Sequence, residues 1–412
     1  MAEKVVFTGL GILAPNGKGR QEFWQSLREG KVGYRPVSLF DTSEFFTNIA
    51  GEVPDFDAKV YLGQKGLRTF DRATRLMVSC TKLAIDDCGF VITNENTDDV
   101  GISCGTTFGS LKSIADFDKV IITEGPRYVN PALFPNTVIN SPASHANIWF
   151  NIQGFSTTMS NGFTTSLDAI EYASNFILWD RAKVVFAGGV EEMNEYTYWG
   201  FHTLKFLSGS RPGESFINCP FDRRRNGVTF GEGACLMVME EYEHAKARGA
   251  KIYGEVISFG YFFDTYSTRK YNPKGTGIKE AIRQALDEAG MQVSDIDYIC
   301  SNANSTQAAD RIETQAIKEV FGEYAYKIPV SSIKSMVGEC YSVSGAFAVA
   351  AALAALNEGF IPPTVNYQEP DPDCDLDYVP NVAREANVKT VMVINFSPSG
   401  ANRVMILGKR DE

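Results

Sequence analysis

The sequence is poor in the residues that mark metal centres, membrane spans and nucleic-acid surfaces. Only three of its 412 residues are histidine, and its eight cysteines form no Cys-x-x-Cys pair and no cluster with histidine, so we expect no metal site. No apolar run is long enough to cross a bilayer. The net charge of -11 is spread along the chain instead of gathered in a tail, which argues against nucleic acid or an anionic membrane as a partner.

The N-terminal stretch also lacks two patterns that would change the interpretation. Residues 1–4 lead into an apolar strand without the apolar region of a signal peptide, which predicts a cytoplasmic protein with reduced, buried cysteines. Gly9-Leu-Gly11 lacks the third glycine of a dinucleotide-binding turn, so we discount a nucleotide site and expect no cofactor.

What the chain does contain is an abundance of apolar residues in alternating helices and strands. Hydrophobic residues make up 44% and aromatic residues 12% of the sequence, enough for one large or two fused domains. The order helix, glycine, acidic loop, strand occurs at residues 83–104 and again at residues 276–301, which suggests a duplicated α/β half. We therefore predict two halves, residues 1–250 and 251–412, with largely parallel sheets covered on both faces.

The segment Gly154 to Ile170 predicts a strand, a tight turn and a helix in close succession. The β-branched run from Ser156 to Met159 is typical of a strand, and a helix opens close to Thr164. A side chain at such a strand-to-helix corner is held over a helix N-terminus, where many enzymes place a nucleophile. The corner residue here is Phe163, which has no nucleophilic atom.

Residues 106–153 form an insertion between a strand and this corner. The segment carries four prolines and more large apolar side chains than an exposed loop needs, namely Phe108, Leu111, Phe117, Leu133, Phe134, Trp149 and Phe150. These side chains suggest burial at an interface or around an apolar tunnel.

Short motifs in a fixed order along nearly the whole chain resemble the β-ketoacyl synthase family of condensing enzymes. The matching residues are Thr8-Gly-Leu-Gly11, Phe186-Ala-Gly-Gly189, Pro220-Phe-Asp222, Asn226-Gly227, Gly231-Glu-Gly233, Asp310, Glu313, Lys334-Ser335, Gly338 and Pro362-Pro-Thr-Val-Asn366. The resemblance implies an α/β fold of the thiolase type. This fold is a duplicated α-β-α-β-α layered structure with two mainly parallel or mixed five-stranded sheets.

The catalytic positions of that family are replaced in this chain. Active members use a corner cysteine as acyl acceptor, two histidines that stabilise a malonyl enolate, and a supporting lysine. Carried over by position, the cysteine falls on Phe163 and the histidines fall on Asn302 and Glu339, while the lysine is kept as Lys334. A benzyl group cannot accept an acyl chain, and a carboxylate at position 339 would repel the enolate. The resemblance therefore implies no independent condensation and disfavours decarboxylation.

Ordinary structural roles account for the replaced positions and for the histidines. Phe163 would fill the volume of an abandoned acyl site, and the Lys334 amine would satisfy either carbonyl groups or Glu339 in a buried polar site. The three histidines lie outside the catalytic motif order. His145 and His202 are interpreted as structural, and His244, in a charged helical stretch, is interpreted as solvated. None of the three histidines is assigned a catalytic role.

One branch of the family shares these losses: the chain length factor, or β subunit, of type II polyketide ketosynthases. Such subunits form heterodimers with an active ketosynthase α subunit and shape the tunnel in which the chain grows. The resemblance implies this partner, together with acyl carrier protein that carries malonyl and polyketide chains. Thr106, Phe108 and Phe134 are then candidates to line or plug the tunnel, against the simpler interpretation of ordinary interface core. The corner departs from the branch, in which glutamine is common.

Two other functions remain open at this point. One is a ketosynthase-like decarboxylase that acts on malonyl-acyl carrier protein as a homodimer, although such enzymes tend to keep a polar corner residue and Phe163 counts against it. The other is a scaffold or carrier-docking module without a tunnel. Release of carbon dioxide by the chain alone would favour the decarboxylase, whereas rescue of its solubility by a cysteine-bearing ketosynthase would favour the chain length factor.

Overall fold

The computed structural model describes residues 4–410. The strands are β1 Val5–Ala14, β2 Gly17–Lys18, β3 Arg35–Pro36, β4 Ile49–Ala50, β5 Val100–Gly105, β6 Ser156–Met159, β7 Val184–Glu191, β8 Gly233–Glu241, β9 Gly254–Phe263, β10 Tyr298–Cys300, β11 Val330–Ser331, β12 Phe360–Ile361, β13 Arg384–Glu385, β14 Thr390–Phe396 and β15 Ala401–Gly408. The helices are α1 Arg20–Arg28, α2 Lys59–Leu62, α3 Arg72–Cys88, α4 Leu111–Thr123, α5 Ser141–Phe150, α6 Thr165–Leu178, α7 Glu195–Thr203, α8 Tyr242–Ala247, α9 Thr276–Ala289, α10 Gln307–Phe321, α11 Lys334–Val337 and α12 Ser344–Glu358.

The main strands form two sets of five with the same internal order. The first set runs β6-β5-β7-β8-β1 and the second runs β11-β10-β14-β15-β9. In each set the first two pairings are parallel and the last two are antiparallel. The repeated order is that of a duplicated thiolase-type fold, which confirms the predicted fold class.

The two five-stranded sheets meet edge to edge. Strands β1 and β9 pair antiparallel through Val6 with Glu255 and Phe7 with Gly254, so the backbone ladder is continuous across the molecule. Half of the pairings in each set are antiparallel, whereas the alternation of helices and strands predicted largely parallel sheets. The reason is visible at β14 and β15, which are joined by the short turn Ser397–Gly400 and therefore must run in opposite directions.

Two helices lie between the sheets, and matched helices cover the outside. α12 is buried from Ser344 to Leu356, and Ala346 N of α12 donates to Ser166 Oγ of α6 at 2.9 Å. The outer helix α3 packs on β1 and the outer helix α9 packs on β9. The layers are therefore helix, sheet, helix pair, sheet, helix, as the thiolase resemblance implied.

Close helix-to-strand packing in both halves depends on a glycine at the seventh position of the strand. A Cβ at Gly11 of β1 would lie 2.0 Å from Cys80 O, and a Cβ at Gly260 of β9 would lie 1.9 Å from Ala281 O. Gly11 thus serves close packing between strand and helix. The predicted boundary at residue 250 falls in the connection between α8 and β9 and stays a prediction.

The helix boundaries follow from local capping. Asp71 caps α3 by accepting from Thr74 N, and Gly89 ends the helix in the left-handed region at φ 62°. Gly290 ends α9 in the same way at φ 64°. All eight cysteines are buried and free, as the sequence predicted. Within residues 4–410, no helix is long and apolar enough to cross a membrane.

The insertion at residues 106–153 forms helices α4 and α5 joined by a 3₁₀ segment, Pro131–Thr137. None of the residues of α4 is fully buried. The large apolar side chains that the insertion exposes are Ile122, Tyr128, Leu133, Phe134, Val138, Ile139 and Ile148. We call these side chains together the apolar face of the insertion; each is exposed in the described chain.

Candidate functional site

The strand-to-helix corner lies where the sequence placed it. β6 ends at Met159, a 3₁₀ turn covers Gly162–Thr164, and α6 begins at Thr165. The turn is closed by the Thr165 hydroxyl, which donates to Gly162 O at 2.7 Å and accepts from Asn161 N at 2.8 Å. Gly162 has φ 65°, a conformation that a side chain disfavours. Phe163 is thereby directed into the protein and is only 6% exposed.

Phe163 belongs to a packed group of rings that we call the aromatic cluster: Phe108, Phe163, Phe201, Phe206, Phe230 and Tyr341. Its ring meets the Tyr341 ring edge-on, with centroids 4.9 Å apart. Tyr341 in turn stacks on Phe201 at 4.7 Å and lies 5.0 Å from Phe230. Offset and edge-on pairs of this kind stabilise beyond their buried area. The volume over the α6 N-terminus is therefore filled by aromatic carbon.

Tyr341 is the central ring of the cluster, and its chemical role was missed at the level of sequence. It is fully buried, and its backbone has φ 48°, a left-handed conformation that is uncommon for a bulky residue. Its N–H donates to Glu339 Oε1 at 3.2 Å, which ties the cluster to the charged groups behind it. Nothing in the local sequence pattern around residue 341 indicates that this tyrosine fills the corner.

Behind the aromatic cluster lies the polar centre, formed by Asn302, Asn304, Lys334 and Glu339. Lys334 Nζ donates to Asn302 Oδ1 at 2.7 Å and to Glu339 Oε2 at 2.8 Å. Glu339 also accepts from Asn304 Nδ2 at 3.1 Å and from Ser344 Oγ at 2.7 Å. All four residues of the polar centre are buried. The ion pair is therefore paired and hydrogen-bonded on both carboxylate oxygens, which is the condition under which a buried charge is tolerated.

Both polar atoms of the Asn302 side chain take part in hydrogen bonds. Its Oδ1 accepts from Lys334 Nζ and its Nδ2 donates to Phe396 O at 3.2 Å. Its backbone N–H donates to Glu313 Oε1 at 2.8 Å. These bonds fix the orientation of the Asn302 amide and leave one of the two Nδ2 N–H donors without a partner among them.

Two further buried acids lie beside the polar centre. Burial raises the pKa of Glu313 to about 8, and the Asn302 N–H opposes that rise. Burial likewise raises the pKa of Asp310 to about 6, and the Arg225 guanidinium opposes it. Asp310 accepts from the backbone N–H groups of Phe221 and Asn304 at 2.8 and 2.9 Å. These acids bind backbone N–H groups and so hold the surrounding loops together.

The three tunnel candidates fall in two places. Thr106 is buried at the end of β5, where its Oγ1 accepts from Gly109 N at 3.0 Å. Phe108 is half-buried, and its ring lies 5.9 Å from Tyr341 and so joins the aromatic cluster. Phe134 is 57% exposed and packs on Phe117 at 6.0 Å. Thr106 and Phe108 thus lie near the corner, whereas Phe134 lies on the exposed apolar face of the insertion.

A buried glutamate that sequence analysis did not single out fixes the start of the insertion. Glu191 accepts from the backbone N–H groups of Thr107 and Phe108 at 2.9 and 3.1 Å. It also accepts from Ser342 Oγ at 2.6 Å, and burial raises its pKa. This carboxylate connects the insertion to the segment that carries Tyr341.

None of the three histidines contributes to the polar centre. His145 packs on Phe70 at 4.7 Å and His202 Nε2 accepts from Phe46 N at 3.0 Å; burial lowers the pKa of both rings. His244 corrects the expectation of a solvated ring, because its Nδ1 lies 2.8 Å from Glu240 Oε2. It is 31% exposed and bound to a carboxylate that is itself fully buried.

Comparison with known proteins places these features in a family context. The β-ketoacyl synthase N-terminal domain matches residues 2–245 and the C-terminal domain matches residues 253–368. The chain is 36% identical to 3-oxoacyl-[acyl-carrier-protein] synthase 2 of Coxiella burnetii, over 98% of each chain. It is 37% identical to the tetracenomycin polyketide synthase ketoacyl synthase alpha subunit of Streptomyces glaucescens, over 100% of this chain and 98% of the other. The solved structure of the ishigamide ketosynthase/chain length factor superposes with a TM-score of 0.91 at 32% identity, over 100% of both chains.

Proposed function

The chain belongs to the β-ketoacyl synthase family, and from that premise we propose that it is a chain length factor: a non-catalytic subunit that pairs with an active ketosynthase. In this proposal the ketosynthase performs the condensation and this chain shapes the tunnel that limits the length of a polyketide. The relatives compared above carry the names of condensing enzymes, and one solved relative is a ketosynthase/chain length factor. What separates the two roles is the chemistry of the corner.

The observation that carries the proposal is the side chain at the corner and its surroundings. An acyl acceptor must be nucleophilic and reachable, whereas Phe163 is neither, since the aromatic cluster encloses it. The second and third catalytic positions are occupied by Asn302 and Glu339, which are both engaged by Lys334. The packing supports an acyl site that has been filled, and the Glu339 carboxylate, which would repel an enolate, disfavours decarboxylation.

The apolar face of the insertion supports the proposed heterodimer. Its exposed aliphatic and aromatic side chains, which include Ile122, Phe134 and Ile148, lie on one continuous segment of the chain. A soluble chain rarely leaves so many large apolar side chains in water without a partner. We propose that this face packs on the active ketosynthase and that Phe134 enters the tunnel wall there, with Thr106 and Phe108 closer to the corner.

Local charge supports an acyl carrier protein as the second partner. A cavity of about 480 Å³ is bordered by the cations Lys205, Arg211, Arg269, Lys270 and Arg311, which we call the basic cavity. One acid, Glu214, pairs with Arg211 at 3.2 Å. In a chain with a net charge of -11, such a gathering of cations favours an anionic ligand. We propose that the phosphate-bearing arm of a carrier protein approaches here.

The proposal is tested by purification with and without a cysteine-bearing ketosynthase. We expect a one-to-one heterodimer whose product forms only when the ketosynthase has its cysteine. Replacement of that cysteine by alanine abolishes product, while Phe163→Ala in this chain leaves product formation intact. A homodimer of this chain that releases carbon dioxide from malonyl-acyl carrier protein would instead establish the decarboxylase.

A further inference from the structure

One side chain lies between the basic cavity and the polar centre. Tyr271 borders the basic cavity, yet its hydroxyl is fully buried. Burial, followed by the charge of Glu339, raises the pKa of Tyr271, and the Asn304 side chain opposes that rise. The Tyr271 side chain therefore extends from the wall of an open cavity into the buried interior.

The ring is held in this position by packing. It meets Phe396 edge-on with centroids 5.4 Å apart, and Phe396 O is the acceptor for Asn302 Nδ2. Among residues 4–410, the Tyr271 hydroxyl has no hydrogen-bond partner of ordinary geometry, which is uncommon for a buried hydroxyl. The ring thus fills space at this point without satisfying its own polar atom.

We propose that Tyr271 is a plug that closes the polar centre to small anions that enter the basic cavity. The cavity attracts an anionic group by its five cations, and the ring stops that group before it reaches Lys334. The inference concerns this chain alone and does not depend on the identity of its partner. It assigns to Tyr271 a role that the filled corner does not explain, because Tyr271 packs on a different group of buried residues from the aromatic cluster.

Closure by Tyr271 would limit the access of electrophiles to the Lys334 amine. The amine is bound as an ammonium to Glu339 Oε2 at 2.8 Å and to Asn302 Oδ1 at 2.7 Å, and it becomes a nucleophile only when it loses its proton. A carrier-borne thioester or an aldehyde that reached it would meet a nucleophile in a buried site. Closure by Tyr271 keeps such electrophiles in the cavity.

Reductive alkylation with glyoxylate tests the plug in the whole chain. The Lys334 amine adds to the aldehyde and loses water to give an imine, and cyanoborohydride delivers hydride to that imine, which leaves a carboxymethyl group on the nitrogen. Peptide mass spectrometry then measures the modified fraction at Lys334. We expect Lys334 of the wild type to stay unmodified while surface lysines react, and Tyr271→Ala to raise its modification rate by about tenfold or more.

Matched variants separate plugging from unfolding. Tyr271→Phe keeps the ring and is expected to keep Lys334 protected. Tyr266→Ala removes an exposed tyrosine from the same cavity and is expected to change nothing at Lys334. The buried cysteines report on the fold, because iodoacetamide labels them only when the chain opens. If Tyr271→Ala labels the cysteines, Tyr271→Val is measured in its place.

Three results overturn the inference. The first is modification of Lys334 in the wild type at the rate seen for surface lysines. The second is continued protection in Tyr271→Ala or Tyr271→Val with the cysteines unlabelled. The third is loss of protection in Tyr271→Phe, which would assign the closure to the hydroxyl group. Failure of the heterodimer experiment affects none of these measurements, since they need no partner.

Discussion

The corner and the polar centre touch through Tyr341 and Glu339, yet their interiors are built in opposite ways. At the corner, Phe163 and its neighbours form a volume filled by apolar side chains. In the polar centre, a lysine and a glutamate remain 2.8 Å apart and are bound by two asparagines. Apolar packing depends on volume and tolerates replacement in small steps, whereas a buried ion pair depends on both partners being present.

The largest expected effect lies in the polar centre. Lys334→Met leaves Glu339 buried without its cation, and we expect the free energy of unfolding to fall by about 4 kcal/mol. Urea denaturation of the purified chain measures the change. The double variant Lys334→Met with Glu339→Gln removes both charges and should lie within about 1 kcal/mol of the wild type. Equal losses in the single and double variants would show that the ion pair is not what stabilises the centre.

The next largest effect lies at the corner. Phe163→Ala removes a ring from the aromatic cluster and leaves a cavity, so we expect the free energy of unfolding to fall by about 3 kcal/mol. Product formation by the heterodimer should remain, because the ring performs no chemical step. Denaturation and product analysis are made on the same preparation. Loss of turnover in a folded heterodimer would show that Phe163 is needed for the reaction as well as for packing.

A change of pH tests the region of the polar centre without altering the corner, because the titrating group, Glu313, lies beside that centre. The pKa of Glu313 is about 8 in the folded chain against an ordinary 4.5, so unfolding releases a proton between these values. The stability contributed by this raised pKa is present at low pH and is lost as pH rises towards 8. From pH 6.5 to 7.5 we expect the wild type to lose about 1 kcal/mol relative to Glu313→Gln. Parallel stability curves for the two proteins would exclude Glu313 as the titrating group.

The smallest effect on the single chain is expected outside both regions. Phe134 is exposed on the insertion, so Phe134→Ala should change the free energy of unfolding by less than about 0.5 kcal/mol. The same variant should weaken the heterodimer, because the ring is proposed to lie at its interface. Analytical ultracentrifugation with the ketosynthase measures the affinity. Unchanged affinity would show that Phe134 does not lie at the interface.

Local signals in the sequence were sufficient for most of the framework. The Ser156–Met159 strand is reproduced, and α3 begins after Asp71 and ends before Gly89, because caps and β-branched runs act on their own neighbours. The ion pair of Lys334 and Glu339 was anticipated as a hypothesis, since the two residues are only five positions apart.

Features assembled from distant segments could not be obtained in this way. The rings around Phe163 come from residues as far apart as 108 and 341, and the cations of the basic cavity come from residues 205 to 311. No local pattern connects such positions. The bond of His244 to Glu240 was missed for a different reason: a charged helical stretch suggested water as its partner, while the buried carboxylate one turn away is the acceptor.

The ion pair in the polar centre also bears on what the proposed chain length factor would need in order to condense. Glu339→His alone would take from Lys334 its only carboxylate contact in the described structure, and Phe163→Cys alone would open a void among the rings. Each of these single substitutions is expected to lower stability. Under the proposed function, the first steps towards a condensing enzyme would therefore cost stability before they could add activity.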